Sequence, residues 1–198
     1  MISPRIKSVV KSSLPRNVLA LGLVSFLTDT SSEMIMWTVP FFIALLGGGP
    51  VWIGIVEGVR ESLASLLKLG SGWFSDKVGK RKALVVTGYG ISALVKPVLA
   101  LAAAPWQVLG LLGIERVGKG IRTAPRDALI AGVVEERHRG KAFSFHRMMD
   151  HAGAVIGLLA GTLLVAVLFP FYRDLGDKTP ADVFRLMYII AAVPALLA

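Results

Sequence analysis

The chain contains no cysteine among its 198 residues, so disulfides and thiolate metal sites are excluded and cysteine usage says nothing about redox compartment. Charge is also scarce: 18% of residues are Asp, Glu, Lys or Arg, where a soluble domain carries about a quarter. Two connections, around Gly48 and Pro105, carry no charge at all. A cleavable signal is not evident, because the first 16 residues are basic, are interrupted by Pro4 and Pro15, and lack an apolar stretch. Histidine is limited to His138, His146 and His151, which are not spaced as metal ligands. His138 sits in a charge run, and His146 stands one helical turn from Asp150. With no nucleophile–base pair, these absences argue against an enzyme, a bound metal and a cofactor.

What the chain has in quantity is hydrocarbon. Hydrophobic residues make up 54% of it and mean hydropathy is +0.66. A helix crossing a bilayer needs about 20 apolar residues, and six segments approach this: 17–46, 51–74, 83–104, 106–130, 142–168 and 181–198. Gly47-Gly48-Gly49-Pro50, a basic turn after Phe74, Ala104-Pro105, the Glu135–Lys141 charge run and the Pro170–Pro180 stretch separate them. The net charge of +9 could indicate nucleic acid, but the cations gather between apolar runs and the tail has no interleaved aromatics. A membrane surface fits better. Eleven cations (Arg5, Lys7, Lys11 and Arg16; Lys77, Lys80, Arg81 and Lys82; Arg137, Arg139 and Lys141) fall on one side and only Arg173 and Lys178 on the other. The positive-inside rule then places the tail (residues 1–16) and both termini of the 17–198 bundle in the cytoplasm of a plasma-membrane protein.

Ionisable groups lie where lipid is expected. Asp29 and Glu33 are in the first segment, and Glu57, Arg60, Glu61 and Lys68 in the second. Lys96 is in the third, Glu115, Arg116, Lys119, Arg122 and Arg126 in the fourth, and Arg147 and Asp150 in the fifth. Each costs roughly 2.5–3.5 kcal/mol at a helix centre facing lipid, so these groups face a wet cavity or one another. Glu57 and Glu61 are one turn apart, with Arg60 placed to offset their repulsion. Arg116, Lys119, Arg122 and Arg126 recur at intervals of three, three and four and share a helix face, where carboxylates or an anionic ligand must separate them. A midplane acid such as Asp29 or Glu33 suits reversible proton binding. Gly113-Ile-Glu-Arg-Val-Gly118-Lys119-Gly120 nearly spells a phosphate loop, but Gly120 replaces the hydroxyl residue and no strand precedes it.

The turn G-W-F-S-D-K-V-G-K-R-K, from Gly72 to Lys82, resembles the loop between helices two and three of the major facilitator superfamily of secondary transporters. Arg116 followed by Gly120 resembles that family's fourth-helix pattern, in which the arginine is associated with proton coupling. Asp29-Thr-Ser-Ser-Glu33, Gly118 to Asp127 and Arg139-Gly-Lys-Ala-Phe143 look like a branch of uncharacterised prokaryotic permeases. The fifth segment departs from the family's antiporter signature: Gly153, Gly157 and Gly161 recur at intervals of four, but no proline follows. These glycines are expected to serve helix packing, within the bundle or against a second one.

The resemblance implies an all-α membrane protein of six transmembrane helices, arranged as two inverted three-helix units. It implies a secondary active transporter that moves a small polar or charged solute, an anionic one included, by alternating access, with protons as the candidate coupling ion. Asp29, Glu33, Glu57, Arg60, Glu61, Glu115, Arg116 and Lys119 would line the pathway. Gly72, Asp76, Gly79, Lys80 and Arg81 would form a gate, with Asp76 approaching a helix end of a partner half and Gly72 allowing close approach. Because the superfamily has two six-helix halves, a second half is expected as a homodimer, a heterodimer or a missing C-terminal part. The alternative is a membrane assembly or regulatory subunit that retains the half-fold without transporting.

Overall fold

The computed structural model describes residues 14–174 and 179–198. Arg5, Lys7, Lys11 and Lys178 lie outside the described residues, as do the side chains of Lys68 and Arg173. The chain is helical throughout its ordered elements. They are α1 (Arg16–Met36), α2 (Val39–Leu45), α3 (Pro50–Val78), α4 (Arg81–Leu99), α5 (Pro105–Val133), a single 3₁₀ turn (Glu136–His138), α6 (Arg139–Asp174) and α7 (Pro180–Leu197).

Proline and glycine set most of the boundaries. Pro50, Pro105 and Pro180 open α3, α5 and α7, where a missing N–H leaves no bond unmade. Thr179 and Asp182 close a capping box over the start of α7. At the other end of α3, Gly79 adopts φ +67 and its N–H bonds the Ser75 carbonyl at 3.0 Å, so the chain reverses before Arg81. The first apolar segment is two helices instead of one. Pro40 cannot donate to the carbonyl of Met36, the last residue of α1, and the Thr38 hydroxyl bonds the Ile35 carbonyl at 2.7 Å, ending α1 before α2 begins. Pro125, by contrast, lies inside α5 without ending it.

The helices pair as two inverted triplets. In one unit are α1 with its extension α2, α3 and α4; in the other are α5, α6 and α7. The leading helix α1 packs on α6 and α7, and the other leading helix α5 packs on α3 and α4, while α4 meets α7 at the centre. Small residues allow the closest crossings. A methyl group on Gly88 would stand 2.6 Å from the Gly118 carbonyl oxygen, and one on Gly118 would stand 2.8 Å from that of Gly88. Gly153 and Gly161 of α6 meet the Phe26 and Met34 carbonyls of α1 in the same way, with Gly157 opposite Thr30 between them. All three of these glycines are therefore consumed inside the bundle, and the expectation that they also cover a second bundle is corrected.

Apolar cores cap the bundle at both ends. At one end Phe42, Ile43, Val56, Leu99, Leu112, Met187 and Tyr188 are buried together, with Phe42 and Tyr188 edge to face at 5.1 Å. At the other end Val18, Ile130, Val134 and Ala142 form a smaller cluster. Between the two lies a layer of buried polar side chains. Among the described residues, α1, α4, α6 and α7 are long and apolar enough to cross a membrane. The 29-residue helices α3 and α5 have the length but each carries six charged residues.

Candidate functional site

The polar layer begins on α1. Ser25, Thr28, Ser31 and Ser32 recur on one face of that helix and are all buried. Facing them are Tyr89, Ser92 and Lys96 of α4, Glu115, Arg122 and Arg126 of α5, and His146 of α6, also all buried. Burial of this many polar groups is tolerable only where they satisfy one another.

The cationic stripe of α5 is divided among different partners. Lys119, about 40% exposed, approaches Asp29 of α1 at 3.8 Å. Arg116 lies 3.7 Å from its neighbour Glu115, whose Oε2 is buried without a hydrogen bond. Arg122 is turned inward, donating to Ser92 Oγ at 2.9 Å and covering the Tyr89 ring at 4.1 Å. Arg126 pairs with Asp127 at 3.0 Å and reaches Ser25 Oγ at 3.5 Å. Separate partners in successive turns remove the repulsion that a shared face would create.

Lys96 is fully buried and its ammonium is held by neutral groups, Ser31 Oγ at 2.7 Å and the Thr28 carbonyl at 3.3 Å. Ser31 in turn donates to the Ala191 carbonyl of α7. The polar layer thus ties α1, α4 and α7 through one amine.

Of the pathway residues expected from sequence, the structure joins Asp29 to Lys119, Glu115 to Arg116, and Glu57 to Arg60. Glu61 is exposed on α3 and Glu33 is half-buried on α1, and neither makes an ion pair among the described residues. Of the gate residues, Asp76 and Arg81 form an ion pair of 3.0 Å across the Gly79 turn, and Lys80 is exposed as the N-cap of α4. A methyl at Gly72 would meet nothing within 4 Å, so the close approach expected there is not made within this bundle.

Sequence reasoning passed over Ser25, Ser31, Tyr89 and Ser92. The available signal was the recurrence of small hydroxyl residues along one face of α1, opposite the charged face of α5.

A polytopic bundle of two inverted triplets, with an ion pair, Asp29–Lys119, between the two leading helices, is that of a membrane transport protein. The sequence profile of the Major Facilitator Superfamily matches residues 20–198, and the chain belongs to that family of multi-pass membrane proteins. It is 44% identical over 155 residues to an uncharacterized MFS-type transporter of Methanocaldococcus jannaschii, a match that covers 78% of this chain and 39% of that protein. It is 32% identical over 130 residues to the multidrug resistance protein MdtH of Edwardsiella ictaluri, covering 66% of this chain and 32% of the relative. The chain therefore spans well under half the length of the curated relatives it matches, corresponding to their N-terminal part. Among solved structures, a bacterial homologue of the human lysosomal transporter Spinster, inward-facing and occupied, superposes with a TM-score of 0.73 at 20% identity. That match covers 98% of this chain and 43% of the other, and it establishes the fold.

Proposed function

We propose that the chain is one six-helix half of a secondary active transporter, moving a small polar or charged solute by alternating access together with a second half. The observation that carries this reading is the Asp29–Lys119 pair, which links the leading helices of the two inverted triplets and keeps its ammonium partly open to water. A carboxylate and an amine at such a junction can exchange partners with a solute or a proton, and each exchange alters how α1 sits on α5. Arg116 and Lys119 attract an anionic group, while Asp29 and Glu33 are the proton-exchanging acids. The Asp76–Arg81 pair at the basic turn acts as the gate on the cytoplasmic side of the plasma membrane, where a helix end of the second half completes it. The similarity to multidrug resistance proteins supports a second reading, export of amphipathic compounds by the same machinery.

Purified protein in proteoliposomes, with its second half if one co-purifies, tests both readings against a panel of organic anions, amino acids, sugars and ethidium. Flux that disappears in Arg116→Ala and falls in Asp76→Asn at unchanged thermal stability is the expected result. Absence of flux for every solute, from folded two-bundle particles, refutes transport and leaves an assembly subunit. Undiminished flux in Asp76→Asn refutes the gate.

A further inference from the structure

His146 stands apart from the ion pairs of the proposed pathway. It is buried in α6 at a point where α1, α4 and α5 converge. Its two ring nitrogens point to different partners: Nδ1 lies 3.4 Å from Asp150, one turn along α6, and Nε2 lies 3.1 Å from Ser25 Oγ of α1. Ser25 is also within 2.8 Å of the Tyr89 hydroxyl of α4 and 3.5 Å of Arg126 of α5. A single imidazole thus connects a carboxylate to a hydroxyl that three other helices share.

We propose that His146 and Asp150 form a proton-binding site, and that its occupancy sets the direction of the hydrogen bonds joining α6 to α1 and α4. The reasoning follows from donor and acceptor capacity. A neutral ring that gives its Nδ1 proton to Asp150 has only a lone pair at Nε2, so Ser25 donates its hydroxyl hydrogen there. Ser25 Oγ then accepts from the Tyr89 hydroxyl and from Arg126. When Nε2 takes one proton from water, the ring becomes a donor at both nitrogens. Ser25 must then accept from His146, its own hydrogen turns to Tyr89, and the Tyr89 hydroxyl hydrogen is displaced from Ser25. Tyr89 lies beneath the Arg122 guanidinium, so the rearrangement reaches α5 as well as α4.

The surroundings suit such a site. Among the described residues, Asp150 is the carboxylate that meets the ring, and its side chain keeps 14% exposure where that of His146 keeps 3%. The group facing the ring from α1 is Ser25, with Tyr89 of α4 behind it. From α5 the charged groups are Arg126, already paired with Asp127, and Arg122 over Tyr89. Asp29, one turn beyond Ser25 on α1, is engaged by Lys119. On α7 the ion pair is Asp182 with Arg185, at 3.3 Å, near the start of that helix and at the opposite end of the bundle. The imidazolium's counter-charge is therefore Asp150, on which Arg126 also acts from α5.

The inference rests on the transport reading only for what the proton does, since binding itself needs no solute. The test is a titration of the full chain in lipid nanodiscs, labelled at histidine and at the tyrosine ring, in a His138→Gln, His151→Gln background that leaves one imidazole signal. On acidification the ring signal is expected to change as protonation requires, with the Tyr89 ring signal changing over the same interval. In Asp150→Asn the histidine change should be lost from that interval, and in Ser25→Ala it should persist while the Tyr89 response disappears. A ring signal that stays neutral throughout in the parent chain overturns the proposal without any further variant. So does a titration that Asp150→Asn leaves unaltered. A chain that titrates yet carries no solute keeps the proton site and loses the transport reading; one that carries solute with His146 silent does the reverse.

Discussion

Replacing Gly157 by alanine tests the seam between α1 and α6, the seam on which the inverted pairing of the bundle depends. The added methyl would lie 2.9 Å from both the carbonyl carbon and the Cα of Thr30, where ordinary contact begins at 3.4 Å. The obstruction is backbone, so no side-chain rotation relieves it. The helices must separate by at least about 0.5 Å along a close-packed interface that has no slack to absorb it. Overpacking of this kind costs about 1–3 kcal/mol, and alanine recovers up to about 1 kcal/mol through its higher helix propensity. A net loss of about 1–2 kcal/mol is expected. Gly54 of α3 is the control, since a methyl there meets nothing within 4 Å and alanine should be neutral or gain up to about 1 kcal/mol. In detergent, a scan of thermal unfolding should therefore separate the two variants by roughly 2–12 °C, at about 2–4 °C per kcal/mol for a chain of this length. Coincident transitions for Gly157→Ala and Gly54→Ala would refute the packing argument.

Two further outcomes follow from the geometry. Because the chain has no native cysteine, single cysteines report orientation directly: Gly49→Cys, in an open connection, should react with an impermeant thiol reagent in intact cells, while Glu136→Cys, 91% exposed on the side chain, should react only after permeabilisation; the reverse pattern refutes the cytoplasmic placement of the α5–α6 connection. Lys96→Met should be close to neutral or stabilising, since it removes a buried charge that neutral groups hold, whereas Ser31→Ala should cost about 1–3 kcal/mol by leaving the ammonium with the Thr28 carbonyl alone; equal effects in chemical denaturation would show that Ser31 does not hold the amine.

Hydropathy and turn chemistry carried most of the fold. The six apolar segments, the breaks at Gly79 and Pro105, and the inverted three-helix arrangement implied by the family resemblance all appear in the structure. The interruption between Met36 and Val39 was missed because the apolar run continues through it, although Pro40 supplies its cause. Pro125 gave the opposite difficulty: it lies within α5, where packed neighbours and nearby side chains can make good the bond it removes. In the site, charged residues were legible individually because charge inside an apolar run is conspicuous. Their partners were not. Arg122 and Lys96 rest on a hydroxyl, a ring face and a carbonyl, groups that leave no signature in composition. The recurrence at Arg116, Lys119, Arg122 and Arg126 correctly placed four cations along one helix, but the register of the neighbouring helices decides which of them turns inward.

The contrast between apolar end cores and a charged middle bears on how the protein enters its membrane. Helices α1, α4, α6 and α7 are apolar enough to partition individually, but α5 brings Glu115, Arg116, Lys119, Arg122, Arg126 and Asp127 with it. Taken alone it faces a penalty of about 2.5–3.5 kcal/mol for each charge near its centre, more than its leucines and valines return at about 0.3–0.6 kcal/mol apiece. Arg116 and Arg126 have Glu115 and Asp127 beside them on α5, but Lys119 and Arg122 meet their partners, Asp29, Ser92 and Tyr89, on helices that precede α5. The order of insertion expected from this has α5 waiting at the translocation channel or the interface until α1 and α4 are in place, and leaving water as a passenger of helices already inserted.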